Sequence, residues 1–86
     1  METIGTKIKN LRIEKKLTQK ELAEKLNIGQ SSICEWEKNN YEPTASAIKQ
    51  LAIFFNISAD YLLGLEDEDG SKNKKYIFNI QNNFNK

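Results

Sequence analysis

The side chains best suited to chemistry in this chain are Gln30, Ser31, Ser32 and Glu35, hydrogen-bonding groups gathered in one short stretch around a single apolar neighbour, Ile33. The spacing predicts a helix that turns Ile33 inward and presents the polar groups outward. A helix that devotes its exposed face to donors and acceptors is suited to reading a polar surface. The edge pattern of base pairs in a DNA major groove, which admits one α-helix, is the natural target. Gln30 and Ser31 stand at the helix N-terminus, where base contacts concentrate in such docking. Gln offers a donor and an acceptor, a match for adenine N6 and N7. Glu35, one turn further on, could accept from cytosine N4 or could repel phosphates and exclude wrong sites. Ser32 could reach a base or a phosphate. The plainer reading of all four is a generic polar helix surface.

Such a reader needs a scaffold, and the preceding residues supply one. Thr18 is an N-cap with Glu21 three residues later, the pattern of a capping box, and Leu17 and Leu22 have the spacing of a hydrophobic staple. Leu22, Ala23 and Leu26 form a buried stripe in which Ala23 permits close approach of a crossing helix. Asn27 takes the C-cap position, where the chain turns left-handed. Ile28 points inward, Gly29 opens the next helix as a weak N-cap, and Ile28 and Ile33 repeat the staple spacing. Around this pair, Ile4, Ile8 and Leu11 predict a first helix over about residues 3–15. Pro43-Thr44 marks a turn and an N-cap for a fourth helix lined by Ile48, Leu51, Ala52 and Phe55 and ended by Asn56. Ser58 caps a short fifth helix, with Ile57 and Leu62 at staple spacing and Gly64 at its end.

Residues 4–64 resemble the phage-repressor and Cro type of helix-turn-helix domain, the Xre family. The resemblance is carried by Leu17, Gln19, Leu22, Ala23, Ile28, Ser32, Ile33, Trp36, Glu37, Pro43 and the closing Ile57-Ser-Ala-Asp-Tyr-Leu-Leu-Gly64. Asn27 departs from the Gly usual in the turn, and Asn39-Asn40 from the Gly usual after Glu-x; Asn tolerates the left-handed region better than other non-Gly residues. The resemblance implies an all-α, compact five-helix lambda-repressor-like domain over residues 1–65. Residues 66–86 would be a linker and C-terminal tail, with a dimerisation arm as one option. The implied function is sequence-specific binding of double-stranded DNA by a transcriptional regulator of bacterial or phage type, more a repressor than an activator, acting in the cytoplasm as a homodimer on a palindromic operator. An antitoxin-like or regulatory protein-interaction module is the alternative.

The resemblance also assigns roles. Arg12 and Glu37 would form a partly buried ion pair tying the first helix to the third. Gln19 heads the second helix, whose N–H groups can meet a phosphate. Lys9, Lys20, Lys38, Asn39, Asn40 and Tyr41 are lesser candidates for backbone contacts; each Lys alone reads equally well as a solvated surface charge. The dimer contact would fall near Phe54, Ile57 and Tyr61, and Phe54 lies off the apolar stripe of its helix. Trp36 reads as a core or boundary side chain. Cys34 reads as an ordinary thiol, with no His or Lys beside it in sequence to activate it.

Composition bounds these readings. The 86 residues suffice for one modest core, and four Gly and one Pro leave room for helices. One Cys rules out an internal disulfide and suits a reducing compartment; the absence of His excludes a zinc finger or a His-based catalytic site. No catalytic constellation, metal site, cofactor motif or small-molecule site is evident. No apolar run approaches the ~20 residues of a membrane span, and no signal peptide is visible. The net charge is only +1, but its distribution is uneven: residues 1–26 carry seven Lys/Arg against four Glu, residues 64–69 four acids and no base, and residues 70–86 four Lys and no acid. Non-specific DNA affinity should be weaker than for a strongly basic domain, because fewer phosphates are neutralised. In the tail, Tyr76-Ile-Phe-Asn-Ile80 is apolar and β-prone. It could be a strand pairing with a two-fold mate, an arm on the globule, or a disordered end, and the Lys72-Asn-Lys-Lys75 cluster could touch DNA flanks or fold onto the acidic run.

Overall fold

The structure, a computed structural model, describes residues 2–66. These form five helices, α1 (Ile4–Glu14), α2 (Gln19–Leu26), α3 (Gln30–Glu37), α4 (Ala45–Phe55) and α5 (Ala59–Leu63). The tail segments Lys72–Lys75 and Tyr76–Ile80 lie outside the described residues.

Short polar side chains set the helix boundaries. Thr3, Thr18, Thr44 and Ser58 each adopt extended backbone and accept a hydrogen bond from the N–H three residues on. At α2 the Glu21 carboxylate also accepts from the Thr18 N–H at 2.8 Å, which closes the capping box. The Thr18 backbone N–H, and after it the Thr18 hydroxyl, favour the charged Glu21 carboxylate and hold its pKa below the ordinary value. Gly29 starts α3 without any side-chain bond. At the C-termini, Asn27 and Asn56 are left-handed (φ 56° and 55°) and Gly64 has φ 82°. Lys16 is also left-handed at φ 58°, where the chain leaves α1, and nothing in its residue type signals this.

One core joins the five helices. Ile8, Leu22, Ile33, Leu51 and Leu62 are essentially inaccessible, and Ala23, Leu26, Trp36, Ala47 and Phe55 complete the buried set. Each helix contributes through the face its apolar periodicity predicts, and Trp36 belongs to the core. Ile4, Leu11, Leu17, Ile28, Ile48, Ala52, Phe54 and Ile57 pack around its edge.

Two contacts fix α1 against its neighbours. At Gly5 the backbone of α1 lies so close to the end of α3 that an added Cβ would overlap the Trp36 carbonyl oxygen. Only glycine fits there, although its φ needs no glycine. Next to the fully buried Ile8, Lys7 is itself buried, with 8% of its surface exposed. Its ammonium donates to the Tyr61 carbonyl at 2.7 Å and lies 4.8 Å from the centre of the Tyr61 ring. The four-carbon stem fills space between α1 and α5, and the charge keeps an acceptor and an aromatic face in place of water.

Candidate nucleic-acid interface

The geometry around α3 begins with a carboxylate. Glu37, the last residue of α3, has a side chain only 4% exposed and accepts from two helices. Arg12 of α1 grips it bidentately, Nε donating to Oε2 at 2.7 Å and Nη2 to Oε1 at 3.0 Å. The remaining Arg12 nitrogen, Nη1, donates to the Leu17 carbonyl at 2.7 Å, just ahead of α2. Gln19, the first residue of α2, donates from Nε2 to Glu37 Oε1 at 3.1 Å. One buried carboxylate thus ties α1, the α1–α2 turn and the start of α2 to the end of α3. The hydrogen bond to Glu37 raises the Arg12 pKa above its ordinary value; burial opposes this and the opposite charge adds to it. The guanidinium therefore stays charged at any working pH.

With α3 pinned at its C-terminus, its outer face carries the polar set. Gln30 and Ser31 are exposed at the first turn, while Ser32 and Glu35 are half-buried. Glu35 is not a free acceptor arm: Asn40 Nδ2 donates to its Oε2 at 3.0 Å, holding the carboxylate toward the chain that leaves α3. Asn39, left-handed at φ 63°, makes that departure possible, and the Asn40 N–H closes the turn on the Glu35 carbonyl at 3.0 Å. The Asn39-Asn40 pair thus performs the left-handed turn that Gly performs elsewhere. Tyr41 follows it with 69% of its surface exposed.

The candidate backbone contacts divide into two sets. Gln19 has its amide hydrogen-bonded to Glu37 and is half-buried, so its orientation is fixed from within. Lys20, Lys38, Asn39, Asn40 and Tyr41 are exposed on the α2–α3 side of the sequence, and Lys9 is exposed on α1 without a hydrogen bond to that group. Cys34 is a half-buried free thiol.

The residues assigned to pairing are all half-buried. Phe54 stacks edge-on against Phe55, with centroids 5.0 Å apart and planes at 77°, and the Lys15 ammonium lies 5.6 Å from its ring centre. Tyr61 gives its carbonyl and ring to Lys7. More apolar surface is exposed close by at Ile53 (71%) and Leu63 (50%), which periodicity alone does not single out.

A five-helix domain with a capped turn before a polar-faced third helix defines a class of protein. Residues 5–68 match the helix-turn-helix domain family, and the chain belongs to that family. It is 38% identical over 77 residues to the HTH-type transcriptional regulator ImmR of Bacillus subtilis strain 168, an alignment covering 90% of this chain and 60% of ImmR. The chain therefore spans about three fifths of that relative's length. Among solved structures, the P22 c2 repressor in complex with a synthetic operator superposes with a TM-score of 0.68 at 26% identity, covering 72% of this chain and 94% of that one. The biofilm master regulator SinR in complex with DNA superposes with a TM-score of 0.66 at 31% identity, covering 71% and 98%. The fold is that of the lambda-repressor-like helix-turn-helix domains. Among the described residues, no group of three or more Cys, Asp or Glu side chains could hold a metal ion, and no helix is long and apolar enough to cross a membrane.

Proposed function

We propose that this chain is the DNA-binding part of a transcriptional regulator, in character a repressor, that docks α3 in the major groove of its operator. The observation that carries this is the arrangement of α3: exposed Gln30 and Ser31 on its first turn, on a helix whose other end is locked by the Arg12–Glu37–Gln19 network. A reader must be held rigidly if side-chain donors are to find base edges, and this one is. The likeness to two domains solved in complex with DNA supports the same docking.

In this reading Gln30 and Ser31 meet bases. Ser32 and the tethered Glu35 discriminate at the next positions. Gln19 presents its remaining amide hydrogen and backbone N–H to a phosphate, with Lys9, Lys20, Lys38, Asn39, Asn40 and Tyr41 on flanking backbone. Two copies pair through the α4–α5 region around Phe54, Ile57 and Tyr61, which sets two α3 helices about 34 Å apart, one turn of DNA. The protein works in the cytoplasm, where the operator is. The test is selection from a random-sequence duplex pool with the full chain, followed by gel shift at fixed salt. Enrichment of a two-fold symmetric sequence is expected. Failure to enrich any sequence, together with tight capture of a protein partner, would replace this reading with that of a protein-interaction module.

A further inference from the structure

A groove of about 810 Å³ runs between α1 and the α4–α5 junction and includes none of the residues assigned to DNA. Its apolar lining comes from Leu11, Phe55, Ile57 and Tyr61, and its charged lining is three carboxylates, Glu2, Glu14 and Glu66, against one ammonium, Lys15. An apolar trough with an acidic lining fits an occupant that is apolar along one side and basic beside it. The chain carries such a segment: Lys72-Asn-Lys-Lys75 followed by Tyr76-Ile-Phe-Asn-Ile80, within a stretch of residues 70–86 that has four Lys and no acid.

We propose that residues 72–80 of the same chain dock in this groove, with Lys74 and Lys75 against Glu2 and Glu14 and the apolar run over Leu11, Phe55, Ile57 and Tyr61. Three arguments converge. The described chain ends at Glu66, itself part of the groove lining, so the tail departs from the site it would fill. The steps from Glu66 to Lys72 reach roughly 20 Å when extended, longer than the ~16 Å of an eleven-residue helix such as α1. A tether this short keeps the segment at an effective concentration of order millimolar, so its own groove wins over that of a second copy in dilute solution. An extended chain over 76–80 puts Tyr76, Phe78 and Ile80 on one side. With the groove filled, the tail covers one side of Ile57 and Tyr61 and adds its own outer face to the surface that these residues and Phe54 offer a second copy.

The test is zero-length carbodiimide cross-linking of the full chain at low micromolar concentration, with the joined peptides mapped by mass spectrometry. Lys74 or Lys75 joined to Glu2 or Glu14 in material of monomer mass is the expected product. A mixture of heavy- and light-isotope chains should give no mixed cross-links. Ile77→Asp with Phe78→Asp, which leaves every lysine in place, should abolish the Glu2 and Glu14 products while the helical circular dichroism stays unchanged. Cross-links only to Asp67–Asp69, cross-links spread equally to Glu21, Glu24 and Glu42, mixed-isotope products, or products that survive the double substitution would each overturn the proposal.

Discussion

Gly5→Ala is the most direct test of how α3 is held. In an ordinary helix interior this change stabilises by up to about 1 kcal/mol, because alanine has less backbone freedom to lose. At this position the new methyl would overlap the Trp36 carbonyl oxygen, with Asn39 Oδ1 a further 2.5 Å neighbour. A side-chain tip can swing away, but a main-chain carbonyl at the end of a helix cannot. The conflict is resolved only by lifting α1 off α3, which loosens Ile8 against Ile33 and strains the Arg12–Glu37 bonds between the same two helices. Overpacking of this kind costs about 1–3 kcal/mol or more and outweighs the propensity gain, so a net loss of about 2 kcal/mol is expected. For a domain of this size that lowers the melting temperature by on the order of 10 °C. Gly29→Ser is the internal control. Its Cβ would meet only Ser31 Oγ at 3.6 Å, and a hydroxyl there can cap α3, so a gain of roughly 0.5–1 kcal/mol is expected. Thermal and urea unfolding followed by circular dichroism measures both. A Gly5→Ala protein as stable as the parent would refute the close approach of α1 to α3 and the argument built on it.

Arg12→Ala leaves the buried Glu37 carboxylate and the Leu17 carbonyl without their donor and should cost about 3 kcal/mol, whereas Arg12→Met combined with Glu37→Leu should cost much less; a double-mutant cycle in denaturant with no coupling would contradict this. Gln30→Ala and Ser31→Ala should change which operator bases are tolerated, by roughly 1–3 kcal/mol per lost base contact, while Gln19→Ala should weaken all sequences alike; competition gel shifts on single-base operator variants separate the two patterns. Removal of residues 70–86 should weaken operator binding by loss of the pair while helical content persists, and sedimentation of the full chain as a monomer with unchanged operator affinity after truncation would count against it. The lowered pKa of Glu21 means that its ionised capping bonds contribute stability above the carboxyl's unfolded value; that contribution should fade as pH drops through the lower folded value, and Glu21→Gln, which caps without ionising, should lack the fade, as pH-dependent melting of the two proteins compares.

The caps and stripes were legible because they are local. Thr18 with Glu21, Asn27, Thr44, Asn56, Ser58 and Gly64 each act within one turn of chain, and the periodic apolar residues need only a period of 3.6 to declare a face. The contacts that were not legible join residues far apart in sequence. Lys7 to Tyr61 spans 54 residues, and a lysine in an otherwise polar-faced helix reads as solvated until the partner helix is in place. Gly5 carried a readable hint, since glycine inside a helical pattern often marks close approach, but nothing indicated which backbone approaches. Within the interface, sequence spacing put Gln30, Ser31, Ser32 and Glu35 on one helix. It gave no sign that Asn40 would restrain Glu35 or that the Gln19 amide would be occupied by Glu37, because both depend on how the chain leaves α3 and where α1 crosses it.

The reader helix is only eight residues long and has no side chain at its N-cap. An isolated helix of that length is marginal in water, because nucleation is unfavourable and too few hydrogen bonds follow to offset it. Helix α3 therefore exists only while the core around Ile33 and Trp36 and the clamp on Glu37 are intact. Its slowest-exchanging amides should open with the whole globule rather than by local fraying, so that the recognition surface is a property of the cooperative unit. It follows that a peptide spanning residues 30–37 is no substitute for the domain. It follows equally that an agent binding only the opened chain, such as a protease or a holdase, draws down the pool of competent readers in proportion to the unfolding equilibrium.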